Sequence, residues 1–278
     1  MGRASSRRRP RTTGWSPQSD WEAPDPRILR HTVPENRRRA YGVRAAVDGV
    51  ADTGSVLELR SGFGTGIITA LVRIEGRPMG LIANNPEHLG GAIDREGADK
   101  AARFLQLCDA FALPVVSLCD TPGFMVGPAA ERTATVRHFS RLFVTGANLR
   151  VPLVCLILRK AYGLGAMAMM GGSTRAPLAT VAWPSGELGG MGLEGAVRLG
   201  YRKELAAIED PAERELAFEA RVAELYEHGK AVNAAAALEI DAVIDPAQSR
   251  SWILSALDGW SAREAWDAGK RRPFIDTW

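Results

Sequence analysis

Apolar residues recur along this chain at two periods. Ile67 to Ile74 and Met79 to Ala83 are short runs rich in branched side chains and predict strands. Between them Glu75-Gly76-Arg77-Pro78 reads as a hairpin turn. From Ala98 to Phe111 the period lengthens, and Ala101, Phe104, Leu105, Cys108 and Phe111 share one helical stripe. Val115 to Leu118 is a continuous apolar run, as expected of a strand buried on both faces. Asp120-Thr-Pro-Gly-Phe124 follows, a turn that no helix continues through. Helix is expected again from near Glu131, with Val136, Phe139 and Phe143 on one face. A second buried strand, Leu153 to Leu158, runs into Tyr162-Gly-Leu-Gly-Ala166 and a small-residue helix through Met170. Ala179 to Ala182 predicts a third short strand. Beyond it the chain is mainly helical: Asp210 caps, Pro211 opens and Glu213 supports a helix that Gly229 ends. Strand, turn and helix repeat with strands of the buried type, so the fold class is α/β.

Composition changes this picture little. The 278 residues, 46% hydrophobic and 24% charged, allow one large domain or two small ones. The net charge of +3 has a local origin. Residues 1–19 hold five arginines and no acid, and removing that +5 leaves −2 on residues 20–278. Residues 1–24 read as a disordered basic tail, and residues 25–278 as the ordered domain. A body without basic excess argues against nucleic-acid binding. No apolar run approaches the roughly 18–20 residues of a membrane span, so no membrane association is expected. Met1-Gly-Arg-Ala-Ser-Ser6 matches a myristoylation pattern only formally. Cys108, Cys119 and Cys155 sit in apolar sequence without CxxC spacing and read as reduced core thiols of a cytoplasmic protein. The four histidines show no ligand spacing, so no metal is expected.

Two loops could carry chemistry, because each is Gly-rich, follows a buried strand and leads into a helix. One is Asp120-Thr-Pro-Gly-Phe-Met-Val-Gly127, the other Gly163-Leu-Gly-Ala-Met-Ala168. Backbone N–H groups at such places suit a phosphate or a developing oxyanion. The second loop also fits the G-x-G-x-x-A dinucleotide pattern, which requires an acid at the end of the next strand. Here that strand runs into Trp183-Pro-Ser185, with Glu187 only after a turn, so a nicotinamide site is the weaker reading. Gly62-Phe-Gly-Thr-Gly66 is weaker still, since a strand follows it. Both loops also read as tight helix–sheet packing, and Met167, Met169 and Met170 as core filler. Glu187 and Glu194 read as helix-start acids in preference to an acid/base pair.

Several longer segments occur in a set order: Gly76-Arg-Pro-Met-Gly-Leu-Ile-Ala-Asn-Asn-Pro86, Lys100-Ala-Ala-Arg-Phe104, Cys108-Asp-Ala-Phe111, Asp120-Thr-Pro-Gly-Phe124, Arg159-Lys-Ala-Tyr-Gly163, Ala182-Trp-Pro184, Met191-Gly-Leu-Glu-Gly-Ala-Val197 and Asp241-Ala-Val-Ile-Asp-Pro246. With them the chain, from about residue 25 onward, resembles the C-terminal half of the carboxyltransferase (β) subunit of biotin-dependent acyl-CoA carboxylases, propionyl-CoA carboxylase among them. The resemblance implies a crotonase-type fold, a spiral of stacked ββα units with C-terminal helices that make oligomer contacts. It implies transfer of a carboxyl group from carboxybiotin to the α-carbon of an acyl-CoA. The implied cofactor is biotin, on a biotinylated carrier protein or biotin carboxylase subunit. Gly165 and Ala166 match the backbone oxyanion hole for the biotin ureido carbonyl, and Gly123 and Phe124 the opposite wall. Tyr162, Gly163, Leu164, Met167 and Ala168 complete the implied substrate-binding loop. Fixed N–H donors at the ureido oxygen leave no need for a side-chain nucleophile.

The chain departs from that pattern twice. The usual Ala-Tyr-Gly-Gly-Ala-Tyr-Asp loop becomes Ala161-Tyr-Gly-Leu-Gly-Ala-Met-Ala168, which puts Ala168 at the place of an acid that helps select acyl length. A more apolar pocket for a bulkier acyl group is the expectation. Only the biotin-side half is matched; nothing here matches the Ser-Gly-Gly-Ala-Arg acyl-CoA segment. The acyl-CoA half is therefore expected on a separate chain or homologous subunit, unless this chain is a fragment. Reverse transfer in a carboxyacyl-CoA decarboxylase, and a non-catalytic scaffold subunit, are the other functions considered.

Overall fold

The computed structural model describes Pro17 and residues 20–260, so the basic tail expected over residues 1–24 lies largely outside the described residues. A short helix α1 (Arg44–Val50) and an edge strand β1 (Leu57–Leu59) lead into β2 (Ile67–Ile74) and β3 (Arg77–Asn84). These two pair antiparallel out to Ile74 opposite Arg77, so the turn shortens to Glu75-Gly76. Both turn residues have positive φ, 50° and 72°, the left-handed pair that matches hairpin twist. The Asp52 carboxylate accepts from both of their N–H groups, at 2.9 and 2.8 Å.

Helix α2 (Arg95–Ala110) completes a ββα unit, as expected. The Asp94 side chain caps it, accepting from the Gly97 N–H at 2.7 Å. Its buried stripe holds Ala101, Phe104, Leu105 and Cys108, whereas Phe111 lies just past the helix end and is 69% exposed. Strand β4 (Val115–Thr121) runs three residues beyond the apolar segment, taking in Asp120 and Thr121. The following helix is broken: α3 (Pro128–Glu131) stops at Glu131 and α4 (Thr135–Ala147) starts after it. Phe139 and Phe143 of α4 pack inward, but Val136 is 62% exposed and leaves the expected face.

Strand β5 (Leu153–Tyr162) is the longest, and α5 (Gly163–Met169) follows it directly. Then come β6 (Ala179–Ala182), β7 (Glu187–Gly189), α6 (Leu193–Gly200), α7 (Arg202–Ala206), α8 (Pro211–Gly229), α9 (Ala231–Ala236), β8 (Ala242–Val243) and α10 (Ser249–Ala256). Eight strands form one sheet, seven of them in the order β1-β2-β3-β4-β5-β6-β8 and β7 beside β5 off that path, antiparallel up to β3 and parallel from there. β5 has two partners: Val154 to Ile157 pair with β6, and Lys160 to Tyr162 pair with β7. Its last residues therefore exchange β6 for β7 on one side while Ala161 stays paired with Thr121 of β4 on the other.

Alternation along the central strands fills two cores. Val115, Cys119, Cys155 and Ile157 face α2, α4, α5 and α9; Val116, Leu118, Val154, Leu156 and Leu158 face α1 and α10. Each such aliphatic side chain stabilises the fold by roughly 1.5–3 kcal/mol. The three cysteines are free thiols inside these layers, and burial pushes Cys108 and Cys155 up to about 12. A third, small cluster of Tyr162, Leu193, Val197, Phe218 and Val222 packs α6 and α8 over the end of β5.

Candidate active site

The two Gly-rich turns meet at the C-terminal ends of β4 and β5. These strands are parallel neighbours, so both turns emerge at the same sheet edge, where open α/β sheets form their binding crevices. The contact between them is backbone on backbone. A methyl group on Gly165 would lie 2.6 Å from the Gly123 carbonyl carbon and 2.9 Å from the Phe124 nitrogen. Gly123 itself has φ +120°, a conformation natural only to glycine. The 121–124 turn thus packs directly against the 163–166 turn, Gly123 against Gly165. Phe124 turns its ring away and stacks on Phe139, with centroids 3.9 Å apart.

Hydrogen bonds determine which turn can donate. The Gly123 N–H is already given to the Thr121 hydroxyl at 3.1 Å, and its carbonyl accepts from Ile93 N–H at 3.0 Å. The 121–124 turn therefore supplies shape. At the start of α5, by contrast, no side chain caps the first-turn N–H groups. Gly163 enters that turn with φ +56°, and a Cβ there would lie 2.7 Å from the Gly190 carbonyl oxygen. The 163–166 turn is thus clamped between residues 123–124 and residue 190.

The other expected residues separate around this turn. Leu164 projects outward, 63% exposed, while Tyr162 is buried in the α6–α8 cluster. A cavity of about 480 Å³ opens beside the turn, walled by Ala161, Ala166, Met167, Met170, Leu188 and Ala234. Ala168 is buried in the core and is not part of that wall, so the apolar character expected of it comes from Met167 and Met170. Met167 and Met170 are therefore more than core filler.

No ionisable side chain occurs in residues 121–127 or 163–170. The charged groups lie behind the turns. Arg159 and Asp120 form a buried pair at 3.0 Å, 2% and 0% exposed. The guanidinium also donates to the carbonyls of Arg37 and Arg39, and Asp120 accepts from the Lys160 N–H. Lys160 Nζ donates to the Gly90 carbonyl at 3.2 Å, and burial lowers its pKa. Glu194, in the first turn of α6, pairs with Arg37 at 2.8 Å, as a helix-start acid should. Glu187 does not match that expectation: it opens strand β7 and is 1% exposed. The two glutamates form no exposed acid/base pair. Sequence reasoning gave no role to Asp120 and Arg159, which stand 39 residues apart and meet only because β4 and β5 are neighbours.

The carboxyl transferase domain family matches residues 7–271. The chain belongs to that family. It is 37% identical over 239 residues to the methylmalonyl-CoA carboxyltransferase 12S subunit of Propionibacterium freudenreichii subsp. shermanii, covering 84% of this chain and 44% of that protein. It is 34% identical over 228 residues to the methylmalonyl-CoA decarboxylase subunit alpha of Propionigenium modestum, covering 81% and 43%. Among solved structures, a single-chain, multi-domain long-chain acyl-CoA carboxylase superposes with a TM-score of 0.80 at 64% identity, covering 85% of this chain and 23% of that one. The chain spans less than half the length of each of these relatives. Its fold is the crotonase-type fold of carboxyl transferase domains. Membership displaces the nicotinamide reading of Gly163 to Ala168. Among the described residues no helix is long and apolar enough to cross a membrane.

Proposed function

We propose that this chain is the biotin-side half of an acyl-CoA carboxyltransferase. In this reading the 163–166 turn stabilises the ureido oxygen of biotin while a carboxyl group passes to the α-carbon of an acyl-CoA. The observation that carries the reading is the packing of Gly165 on Gly123, which holds an uncapped set of N–H groups rigidly where no ionisable side chain occurs. Bound carboxybiotin would supply the carboxyl group and, once that has left, a nitrogen to take the acyl-CoA α-proton as the new C–C bond forms; preorganised backbone donors would stabilise the negative charge left on its ureido oxygen without reorganising. Gly165 and Ala166 are the residues whose N–H groups would take that oxygen. A neutral, bonded carbonyl fits a turn that carries no ionisable side chain of its own; Asp120 and Arg159 form a buried pair beside it, and His228 and Glu239 are in the lining of the adjoining cavity.

The acyl group would be long and apolar. Its α-carbon must reach the carboxyl carbon beside this turn, and much of the adjoining cavity wall is alanine, methionine and leucine, with Thr174, His228, Asn233 and Glu239 completing the lining. Similarity to a long-chain acyl-CoA carboxylase supports the same choice. The acyl-CoA-binding half, a biotinylated carrier and an oligomeric assembly are the partners this reading needs, and its setting is the cytoplasm. Mixing the chain with carboxylated carrier, a candidate acyl-CoA half and acyl-CoAs of increasing length tests it. Transfer that rises with chain length is expected, and Ala234→Phe, which fills the cavity, should lower transfer to long chains and spare acetyl-CoA. Equal loss at every length would place biotin, not the acyl tail, in the cavity. Net decarboxylation of a carboxyacyl-CoA without forward transfer would favour the direction of the P. modestum relative.

A further inference from the structure

Glu187 is the least explained group in the described structure. It is 1% exposed, and neither carboxylate oxygen has a hydrogen-bond partner. The Tyr162 hydroxyl, also buried, is unpartnered too. An orphaned buried polar group ordinarily costs about 1–3 kcal/mol, so two at one place call for a reason.

Their position supplies one. Glu187 opens β7 opposite Lys160, and two rungs further the same ladder sets Gly189 opposite Tyr162. A Cβ on Gly189 would lie 3.3 Å from the Tyr162 ring, so the missing side chain makes room for that ring. Tyr162 is the residue from which α5 starts, and the Gly190 carbonyl presses on Gly163 just beyond it. The carboxylate and the hydroxyl thus sit at the root of both segments that clamp the 163–166 turn. We propose that Glu187 acts through Tyr162 as a positioning residue for this turn, setting the direction of the Gly165 and Ala166 N–H groups.

The charged surroundings agree with that role. Arg37 stands near Glu187 but is tied to Glu194, and Lys160 is tied to the Gly90 carbonyl, so neither closes an ion pair with it. Burial raises the Glu187 pKa and outweighs the pull of Arg37, Tyr162 and Lys160, a shift toward the protonated acid. A neutral acid and a phenol need only one short hydrogen bond between them, and a small movement of either side chain closes it.

The inference takes this turn as the oxyanion site of the proposed function, so its test has one arm that needs no activity. Backbone hydrogen exchange over residues 163–169, compared at one pH, should rise about tenfold or more in Tyr162→Phe and Glu187→Ala. Glu187→Gln, a neutral mimic of the protonated acid, should stay near wild type, and α2 should be unchanged throughout. Tyr162→Phe removes a single oxygen and keeps the ring that packs α6 and α8, so it guards against loss of folding. In the assembled carboxyltransferase the same substitution should lower kcat about tenfold with KM for acyl-CoA unchanged. Unaltered exchange at 163–169 in Tyr162→Phe and Glu187→Ala, or Glu187→Gln behaving as Glu187→Ala, would overturn the proposal. A wild-type chain without carboxyl transfer would overturn the functional reading and leave the exchange result to decide Glu187.

Discussion

At Gly163 the backbone has φ +56° and runs within 2.7 Å, measured from a would-be Cβ, of the Gly190 carbonyl oxygen. Alanine there pays for left-handed geometry, about 1–2 kcal/mol, and also pushes residue 190 away. Gly163→Ala should accordingly lower the unfolding free energy read from urea denaturation by about that amount or more. Glu187 adds a pH dependence. The groups around it are Arg37 ahead of α1, Asp120 on β4, Lys160 and Tyr162 on β5, and Glu194 on α6. The backbone of Lys230, between α8 and α9, bridges to it, with that residue's Nζ held by Glu227. Because burial raises its pKa in the fold, the folded chain binds this proton more tightly than the unfolded chain does. Its contribution is present at low pH and is lost as pH rises from the ordinary glutamate range through the raised value. Glu187→Gln, which cannot ionise, should therefore gain Tm relative to wild type as pH rises through that window. A constant difference across pH would count against a protonated Glu187.

Strands and helices differ in how plainly the chain announces them. The β2–β3 hairpin and the stripe of α2 were legible because one residue type recurs at one period over a whole element. β1 and β7, three residues each, are too short to show a period, and they exist because an exposed strand end was there to pair with. The break between α3 and α4 was missed for a related reason: Ala134 takes left-handed geometry, φ 55°, at a residue whose type favours helix. The ion pair at the ends of β4 and β5 was invisible as well, because its partners meet through parallel pairing alone. Its removal makes a sharp test at this scale. Asp120→Asn would leave the Arg159 guanidinium buried without a counter-charge, at a cost of about 3–5 kcal/mol read from urea unfolding. The loss should loosen residues 37–39, whose carbonyls that guanidinium holds.

Among the described residues the chain is a sheet covered on both faces, with the proposed site at the C-terminal ends of β4 and β5. Exposed apolar side chains sit in the segments at that end of the sheet: Leu89, Val126, Leu164, Met167 and Met191. The turn residues were legible as Gly-rich loops after buried strands, but their roles were not. Spacing alone left oxyanion site and tight packing as rivals; the structure shows the packing, Gly165 on Gly123 at the start of an uncapped helix, and that geometry is compatible with the proposed oxyanion role. Ala168 lies in the core and not in the cavity lining because a helix seven residues long turns every position around its axis, and this one faces inward. The central claim is that backbone donors at Gly165 and Ala166 carry the transfer. It is tested most directly by following labelled carboxyl from carboxylated carrier to acyl-CoA in the assembled enzyme, with wild type beside Gly165→Ala. The added methyl meets Gly123 at 2.6 Å and must displace the turn, so kcat should fall by about 100-fold or more while the carrier still binds. Transfer by Gly165→Ala at the wild-type rate would contradict the account.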